Sequence, residues 1–524
     1  MVLGVLIVAC CVVFAVWRLV KPRSSSSTVY PGKLGADPSP SCIALAIWTW
    51  LKPRSVKSPP MYPGCLPLIG HGYQLVGDEK HMFKCEKQIN DFCLQNNDLI
   101  EIRLGTHSVF VLTDPDDCLT VANNCLEKPY VYKYGDNVYG RGLVTTKVNI
   151  WKTHRKLLNP AFNLNVLQSF VGEYCRQAKL LVSSLASEAG KGPFDIQPYL
   201  ITNVLKTAYR TTFGTKVDEN SEILKTYSDA TEKLLMLMIG RMHNIWLHLS
   251  FIYKMTTSGK ESDKRANIMK GITESVMNNR KSELKAANQR DKIGESATDD
   301  FVPLLDRMLD LTDKQDAFTD DDIREHLDTI VGAAYDTTAT ALTFILIVIG
   351  SHHDVQEKMY QELKKVLEHE ERDINKHDLP KLVYMEAVIK ETLRLYPPAP
   401  RFARTSNIDV KLKNYTLPAN CTYAISVYGL HRHAMWGPDK DQFVPDRWLD
   451  PARLPKNPNF FAAFSLGRRN CIGKLYGMMA IKTTLSYILR HYRIHSDIEK
   501  LETRCDLLLK PVAGHFITLE SRVY

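Results

Sequence analysis

The chain has 524 residues and a formal net charge of +9, and 44% of its residues are hydrophobic while 24% are charged. This composition is typical of a globular protein with a large core, and it excludes a disordered or fibrous chain. A basic surface can attract nucleic acid, anionic lipid or an acidic protein. No nucleic-acid-binding motif occurs, so a nucleic-acid partner is not expected. The twelve cysteines lack paired Cys-x-x-Cys spacing, which argues against a structural zinc site.

Residues 1–20 are predicted to be a transmembrane signal-anchor. The first seventeen residues are uncharged and mostly apolar, and as a helix the segment would reach about 30 Å, the thickness of a hydrocarbon core. Arg18, Lys21 and Arg23 follow the apolar run, so the positive-inside rule places the rest of the chain in the cytosol. A cleaved signal peptide is the alternative, and it fits less well because no basic stretch precedes the apolar run.

Residues 21–58 are predicted to be a linker with a second short apolar segment at residues 42–51. The segment Val16–Ser24 is echoed by Ile47–Ser55, which suggests a duplicated leader or an artefact of joined exons. As a helix the second apolar segment would reach about 15 Å, so we expect it to lie in the membrane interface. A globular domain is then predicted over residues 59–524.

Two short alternating runs, Ile100–Leu104 and Val109–Leu112, flank Gly105 and predict a β-hairpin. Further along, Trp151 and Arg155 are four residues apart in a predicted helix. They share one helix face, and both can donate hydrogen bonds to a carboxylate. An ordinary half-buried helix face is the alternative interpretation of this pair.

Residues 234–255 are rich in methionine, leucine, isoleucine and phenylalanine. They form a membrane-contacting helix and loop, a substrate gate or simple core, and the pattern favours none of the three. Residues 258–300 are polar and charged, and we predict a solvated connector there.

Residues 320–350 are predicted to form a long helix. Thr319 and Asp322 match a capping box at its start. Residues 333–338 place two alanines, a tyrosine, an acid and two hydroxyls inside this apolar helix, and a mid-helix threonine often bonds back to a carbonyl. Taken alone, the segment favours a core helix with satisfied hydroxyls.

A second predicted helix covers residues 380–396, and Glu391 and Arg394 share one of its faces. Such a pair alone is weak evidence, because surface helices carry many of them and each contributes little. A proline-containing loop that carries Arg447 follows.

Residues 464–473 read Phe-Ser-Leu-Gly-Arg-Arg-Asn-Cys-Ile-Gly. The glycines permit turns and a close approach of the backbone to a flat ligand. Neighbouring cations and free amides stabilise a thiolate at Cys471, and a thiolate held in this way can be an axial ligand of haem iron. A buried, inert cysteine in a tight turn is the alternative.

This decapeptide resembles the cysteine-ligand loop of the cytochrome P-450 family, the haem-thiolate monooxygenases, and the other motifs agree with the resemblance in order and spacing. The resemblance implies a mainly α fold with a small β-rich lobe. It also implies haem b as cofactor and Cys471 as the iron ligand, with Phe464, Gly467 and Gly473 forming the loop around the haem. The chain looks nearest to arthropod members of the fatty-acid ω-hydroxylase clan.

The resemblance also implies roles for the other motifs. Asp336 and Thr337 match the acid–alcohol pair that relays protons to dioxygen at the haem. Glu391, Arg394 and Arg447 are expected to brace the cysteine loop. The side chains expected on the haem propionates are Trp151, Arg155, Arg404 and Arg469.

Two positions depart from the family pattern. Ala334 stands where the family usually has glycine, and its methyl group narrows the place for dioxygen. Ala333 stands where some ω-hydroxylases carry a glutamate that bonds covalently to haem, so no such link is predicted.

Partners and location follow from the same resemblance. It implies a lipophilic substrate (fatty-acid-like, terpenoid or foreign) that reaches a pocket roofed by residues 130–144 partly through the endoplasmic reticulum membrane. Electrons are expected from an NADPH-dependent flavoprotein reductase, with cytochrome b5 as a further candidate donor. The cations expected to dock the reductase near Cys471 are Lys152, Lys156, Arg468 and Lys474.

Two other function classes stay open at this point. A haem-thiolate isomerase or dehydratase rearranges peroxides without a reductase, but the retained acid–alcohol pair argues against it. A non-catalytic haem protein that binds ligands or senses gas has Ala334 as its only support. A hydrolase is not supported, because neither Gly-x-Ser-x-Gly nor His-Glu-x-x-His occurs.

Overall fold

The computed structural model of the protein describes residues 58–105, 107–214, 222–291, 301–368, 371–512 and 516–522. The predicted anchor at residues 1–20 and the second apolar segment at residues 42–51 lie outside the described residues.

Helices make up most of the described chain, as predicted. They are α1 (Glu79–Gln95), α2 (Pro115–Asn124), α3 (Asp136–Tyr139), α4 (Val148–Leu158), α5 (Leu164–Gln168), α6 (Val171–Leu185), α7 (Gln197–Phe213), α8 (Glu222–His243), α9 (Ser250–Met255), α10 (Thr257–Asp291), α11 (Leu304–Gln315), α12 (Asp320–Ser351), α13 (His353–Val366), α14 (Val383–Leu395), α15 (Val427–Leu430) and α16 (Lys474–His491).

The strands are short and form several small sheets. They are β1 (Leu99–Leu104), β2 (His107–Leu112), β3 (Phe194–Asp195), β4 (Arg401–Thr405), β5 (Val410–Lys411), β6 (Thr416–Leu417), β7 (Thr422–Ser426), β8 (Tyr492–His495), β9 (Thr503–Cys505), β10 (Leu509–Pro511) and β11 (Phe516–Ser521).

The predicted hairpin is present and begins the largest of these sheets. Strands β1 and β2 pair antiparallel, with Ile100 opposite Val111. Strand β7 joins β2 in parallel and β4 joins β7 antiparallel, which gives the order β1-β2-β7-β4. Gly105 between the first two strands has a φ of +62°, a left-handed conformation that glycine adopts at little steric cost. One face of this sheet packs with α2 in a hydrophobic cluster that includes Phe110 and Ile425.

Helix α12 is the centre of the helical part. The predicted capping box is present: the Thr319 hydroxyl accepts the N–H of Asp322 at 3.1 Å, and the N–H of Thr319 donates to that carboxylate at 3.0 Å. Among the described residues, α12 is the one helix long and apolar enough to cross a membrane, and 78% of its apolar window is buried inside the protein. We therefore assign its apolar character to the core, where it packs against α7 and α14.

The prediction of a solvated connector over residues 258–300 was wrong for most of that range. Residues Thr257–Asp291 form the helix α10, which is 35 residues long. Met269, Thr273 and Val276 are buried on one face of it, and this face packs against α8 and α12. The remaining positions are mostly polar, so the average composition concealed a narrow apolar stripe.

Candidate active site

The loop that ends at Cys471 is shaped by two left-handed residues and closed by a backbone hydrogen bond. Ser465 has a φ of +64° and Gly467 a φ of +68°. The N–H of Cys471 donates to the carbonyl oxygen of Phe464 at 2.9 Å. A Cβ on Gly467 would lie 2.8 Å from the backbone of Ala122 in α2. The loop therefore requires glycine at this position for both its conformation and its contact with the β-rich lobe.

Cys471 stands just before the first turn of α16 and has one open side. The protein atoms that enclose its other sides raise the pKa of the thiol, while the N–H of Gly473 and the charges of Arg155 and Lys474 act in the opposite direction. The helix start adds a further positive field. These groups favour a thiolate once a metal cation offsets the cost of burial.

Arg155 contacts the cysteine loop in the structure. Its Nη1 donates to the carbonyl oxygen of Asn470 at 2.8 Å, and its Nη2 donates to the side-chain oxygen of Asn470 at 3.1 Å. Trp151, one turn earlier on α4, is buried, and the guanidinium of Arg469 lies 4.7 Å from its ring centroid. The structure thus places Trp151 beside Arg469 and Arg155 against the loop itself.

Three cations gather near the loop without forming an ion pair among the described residues. Arg404 and Arg469 are 2% and 8% exposed, and Arg404 Nε, Arg469 Nε and Arg469 Nη1 are buried without a hydrogen-bond partner. Burial and these two arginine charges lower the pKa of Lys128 well below its usual range. Burial and the Arg404 charge also lower the pKa of Arg469 to about 10.

Buried donors without acceptors destabilise a fold unless an anion satisfies them. The cluster of Lys128, Arg404 and Arg469 therefore fits a ligand with carboxylates, and the two propionates of haem meet that requirement. Sequence reasoning missed Lys128, because a single lysine before an aromatic stretch carries no signal of its own.

One stripe of α12 stays partly open while the helix around it is buried. Its members are Ile330, Ala333, Ala334 and Thr337, and their spacing puts them on a single helix face. The Thr337 hydroxyl donates to the carbonyl oxygen of Ala333 at 2.8 Å, as expected for a mid-helix threonine. The two alanines leave room along this face for a flat ligand.

Asp336 is 8% exposed, and its Oδ2 accepts a hydrogen bond from the Lys510 ammonium of β10 at 2.9 Å. Burial and the Asp336 charge raise the pKa of both Tyr139 and Tyr335, so these phenols stay neutral. Sequence reasoning missed Lys510, because it lies far from Asp336 along the chain.

Glu391 is a fully buried carboxylate at the centre of a hydrogen-bond network. It accepts from Arg394 Nε at 2.9 Å and from Arg394 Nη2 at 2.8 Å. Arg447 Nε donates to it at 3.0 Å, and Trp448 Nε1 donates at 2.9 Å. The side chains of Glu391, Arg394 and Arg447 are at most 1% exposed. The three residues predicted to form a brace are therefore in direct contact.

His431 connects this network to Ala462, which lies just before the cysteine loop. Its Nδ1 lies 2.9 Å from the carbonyl oxygen of Arg394, and its Nε2 accepts the N–H of Ala462 at 2.9 Å. One nitrogen must donate and the other accept, so the ring is neutral. Burial and the charges of Arg394 and Arg432 lower the pKa of His431 well below its usual range. Sequence reasoning missed His431, because its partners lie in two distant segments.

A sequence profile described as Cytochrome P450 matches residues 59–517. The chain belongs to the cytochrome P450 family. Members of the family are monooxygenases and hold haem through a cysteine thiolate, so the protein is a haem-thiolate oxidoreductase. The family predicted from the cysteine loop is thereby confirmed.

Relatives of this cytochrome P450 occur in insects and mammals. It is 30% identical over 465 residues to cytochrome P450 4c21 of Blattella germanica, an alignment that covers 87% of this chain and 92% of the relative. It is 30% identical over 466 residues to cytochrome P450 4V2 of Homo sapiens, with 87% and 88% covered. Cytochrome P450 4g1 of Drosophila melanogaster is 30% identical over 455 residues, with 80% and 82% covered.

In this cytochrome P450 the segment 234–255 combines core and surface. Leu234 and Met238 are buried, whereas Trp246, Phe251 and Met255 are 61%, 66% and 77% exposed. The buried positions exclude a purely membrane-contacting segment, and the exposed ones exclude a simple core. An apolar surface of this kind favours contact with a lipid or a protein.

Aromatic and cationic groups join this segment to the stretch 130–144. The guanidinium of Arg241 lies 4.2 Å from the ring centroid of Tyr134 and 4.1 Å from that of Tyr253. The Tyr130 hydroxyl and the Nδ1 of His248 are 3.0 Å apart. These contacts hold the end of α8 and the following turns against the stretch that the resemblance assigns to the pocket roof.

Proposed function

We propose that this cytochrome P450 is a microsomal monooxygenase that inserts one atom of dioxygen into a lipophilic substrate, using electrons from an NADPH-dependent flavoprotein reductase. The observation that carries the proposal is the set of buried guanidinium donors without acceptors on Arg404 and Arg469, beside a loop built to hold a thiolate. If Cys471 were an inert cysteine with no ligand beside it, nothing would account for these buried donors without acceptors. The isomerase alternative does not account for an acid and an alcohol retained at Asp336 and Thr337.

When bound, haem supplies the activation of dioxygen and the transfer of one oxygen atom. The Cys471 thiolate would ligate the iron and would donate electron density to it. Arg404, Arg469 and Lys128 would hold the propionates by charge-assisted hydrogen bonds. The residues present fit haem b that is bound without a covalent link, because Ala333 has no carboxylate that could form one.

Two residues of α12 would hold and move protons during the reaction. Thr337 exchanges a proton at Oγ1, and Asp336 does so at Oδ2. The partly open stripe beside them is apolar at Ile330, Ala333 and Ala334, so these side chains offer water no hydrogen-bond partner. Proton transfer by groups positioned in this way contributes about 10²- to 10⁴-fold to a rate.

Exposed apolar side chains at residues 245–255 and the apolar segment at residues 1–20 support a membrane location and a lipophilic substrate. The substrate classes consistent with this surface are fatty-acid-like, terpenoid and foreign compounds.

The test is a carbon monoxide difference spectrum of the reduced, membrane-expressed protein, followed by reconstitution with reductase, NADPH and ¹⁸O₂ against a panel of lipophilic compounds. We expect a strongly red-shifted Soret band and one ¹⁸O atom in the product. An isomerase would show the band and convert a lipid hydroperoxide without NADPH. A ligand-binding protein would show the band with no turnover of either kind.

We predict that charge reversal on the exposed basic face near Cys471 weakens the reductase complex. The variant Lys152→Glu/Lys156→Glu, at two exposed lysines of α4, should raise the KM for reductase about tenfold at low salt, because complementary charge accelerates association. The difference should shrink as the ionic strength rises. The matched control makes the same change at Lys191 and Lys411, which are exposed elsewhere. An equal rise in the control would place the docking face somewhere else.

We predict that Lys128→Met speeds the loss of haem. A charge-assisted hydrogen bond contributes about 1.5–3 kcal/mol, which corresponds to a rate roughly 10- to 100-fold higher. Transfer of haem to an excess of apomyoglobin, followed by absorbance, measures this rate without turnover. Lys133→Met, an exposed lysine on the same stretch, is the control. An unchanged rate would mean that Lys128 serves only its hydrogen bond to the Val144 carbonyl.

A further inference from the structure

Tyr139, the last residue of α3, lies against α12 at a place where that helix has no side chain. A Cβ on Gly332 would lie 3.2 Å from Cε1 and 3.4 Å from Cδ1 of the Tyr139 ring. One turn earlier on α12, the Thr329 hydroxyl donates to the carbonyl oxygen of Tyr139. The backbone and the ring of Tyr139 are therefore both fixed on the helix that carries the partly open stripe.

Two glycines bring the backbone after Tyr139 equally close to α12. Gly140 has a φ of +54°, and a Cβ there would lie 2.5 Å from Cγ of Glu325. A Cβ on Gly142 would lie 2.1 Å from Oγ1 of Thr329. A larger residue at either position would push α3 away from the helix. Tyr139 is thus held by its neighbours as well as by its own contacts.

The Tyr139 phenol points along α12 toward the level of Asp336. The backbone of Tyr139 meets Thr329 and its ring meets Gly332. One further turn along the helix, the Asp336 charge acts together with burial to raise the pKa of the phenol. The side chain is half-buried, so the part that stays accessible borders an enclosed space rather than bulk solvent. The hydroxyl therefore lies beside the partly open stripe.

Tyr335 places a second phenol near the first. It follows Gly332 by three positions on α12, so the two share a helix face, and its side chain is 4% exposed. Burial, the Asp336 charge and the nearness of Tyr139 raise the pKa of Tyr335. Among the residues that the structure describes, neither phenol hydroxyl has a hydrogen-bond partner. A buried donor of this kind is stabilised when a ligand supplies the acceptor.

The charges around the two phenols favour a neutral acceptor. Tyr335 experiences the charges of Asp336 and of Glu232 on α8, and both are negative. The nearby ammonium of Lys510 is already paired with Asp336 at 2.9 Å. A carboxylate at this place would be repelled. An uncharged oxygen can accept hydrogen bonds from both phenols without that cost.

We propose that Tyr139 and Tyr335 determine substrate specificity by donating hydrogen bonds to a neutral hydroxyl or carbonyl oxygen of the substrate. The apolar members of the stripe, Ile330, Ala333 and Ala334, lie against the hydrocarbon part of the same molecule. The favoured substrate is thus an oxygenated lipophile, such as an alcohol, a ketone or an ester, in preference to a hydrocarbon or a fatty acid. This inference rests on the proposed function, because it names the substrate class of the same pocket.

The test measures ligand binding through the absorbance change of the Soret band in the oxidised holoenzyme, which needs neither reductase nor turnover. The ligands share one chain length and differ at one end: dodecane, the corresponding methyl ketone, the primary alcohol and dodecanoate. We expect the ketone and the alcohol to bind more tightly than the other two. Tyr139→Phe and Tyr335→Phe each remove one hydroxyl and keep the ring, so each should raise the Kd of the ketone about tenfold and change the Kd of dodecane by less than about twofold.

The matched control is Tyr134→Phe. The Tyr134 hydroxyl lies on the same stretch as Tyr139 but is fully covered by protein, so its loss should leave all four Kd values unchanged. Three results would overturn the proposal: a ketone that binds no more tightly than dodecane, equal losses of ketone and dodecane in Tyr139→Phe, or a preference for dodecanoate. A missing red-shifted carbon monoxide band in the unsubstituted protein would instead overturn the proposed function.

Discussion

Replacement of Cys471 by alanine is expected to abolish the red-shifted carbon monoxide band and all NADPH-dependent turnover. The alanine removes the one side chain of the loop that can ligate iron as a thiolate, while Arg155 and Lys474 lose the anion that they stabilise. We expect haem to be retained in part, because the proposed partners of its propionates, Arg404 and Arg469, are unchanged. The difference spectrum, read beside the haem content of the purified protein, separates loss of the ligand from loss of haem.

Cys421→Ala is the matched control for this variant. Cys421 is a free thiol in the β-rich lobe, adjoining β7, so its loss should leave the band intact. A red-shifted band that survives in Cys471→Ala would show that another residue ligates the iron, and the proposed function would lose its basis.

The second large effect is expected from Glu391→Ala, which should yield protein that neither binds haem nor folds stably. The substitution leaves the guanidinium groups of Arg394 and Arg447 buried without their carboxylate. Breaking a buried ion pair in this way costs about 3–5 kcal/mol, a large part of the roughly 5–15 kcal/mol that stabilises a domain. The measurements are the soluble yield, the haem content and the urea midpoint.

A matched control lies on α11. Asp310 pairs with Lys314, and their side chains are 58% and 66% exposed, so Asp310→Ala should cost far less than Glu391→Ala. Where Glu391→Ala itself fails to express, Glu391→Gln keeps the shape and tests the charge alone. A Glu391→Gln protein with normal stability and haem content would contradict the bracing role.

Local patterns allowed the hairpin, the capping box at Thr319 and the cysteine loop to be predicted from sequence, because each depends on residues close together in the chain. Helix α10 was missed, since its buried positions form a narrow stripe within a polar segment. Lys128, His431 and Lys510 were missed for another reason. Each acquires its role from partners in distant segments, and no spacing rule carries that information.

Arg155 belongs to a recognised motif, but its partner in the folded chain could not be predicted from spacing either. Its spacing from Trp151 correctly indicated a shared helix and two hydrogen-bond donors. The choice of acceptor depends on where the cysteine loop passes α4, and in the structure Arg155 meets Asn470 of that loop. Spacing thus predicts which side chains share a helix face, whereas the tertiary structure determines which acceptors they meet.

The neutral ring of His431 makes the stability of the folded chain depend on pH. An unfolded chain would take up a proton at this histidine below about pH 6.5, whereas burial prevents the folded chain from doing so. Its contribution to stability is therefore present above that pH and is lost progressively as the pH falls. Acidification below that pH therefore lowers the free energy of unfolding of the domain that carries the cysteine loop. The protein is accordingly expected to be most stable where the surrounding medium stays near neutrality.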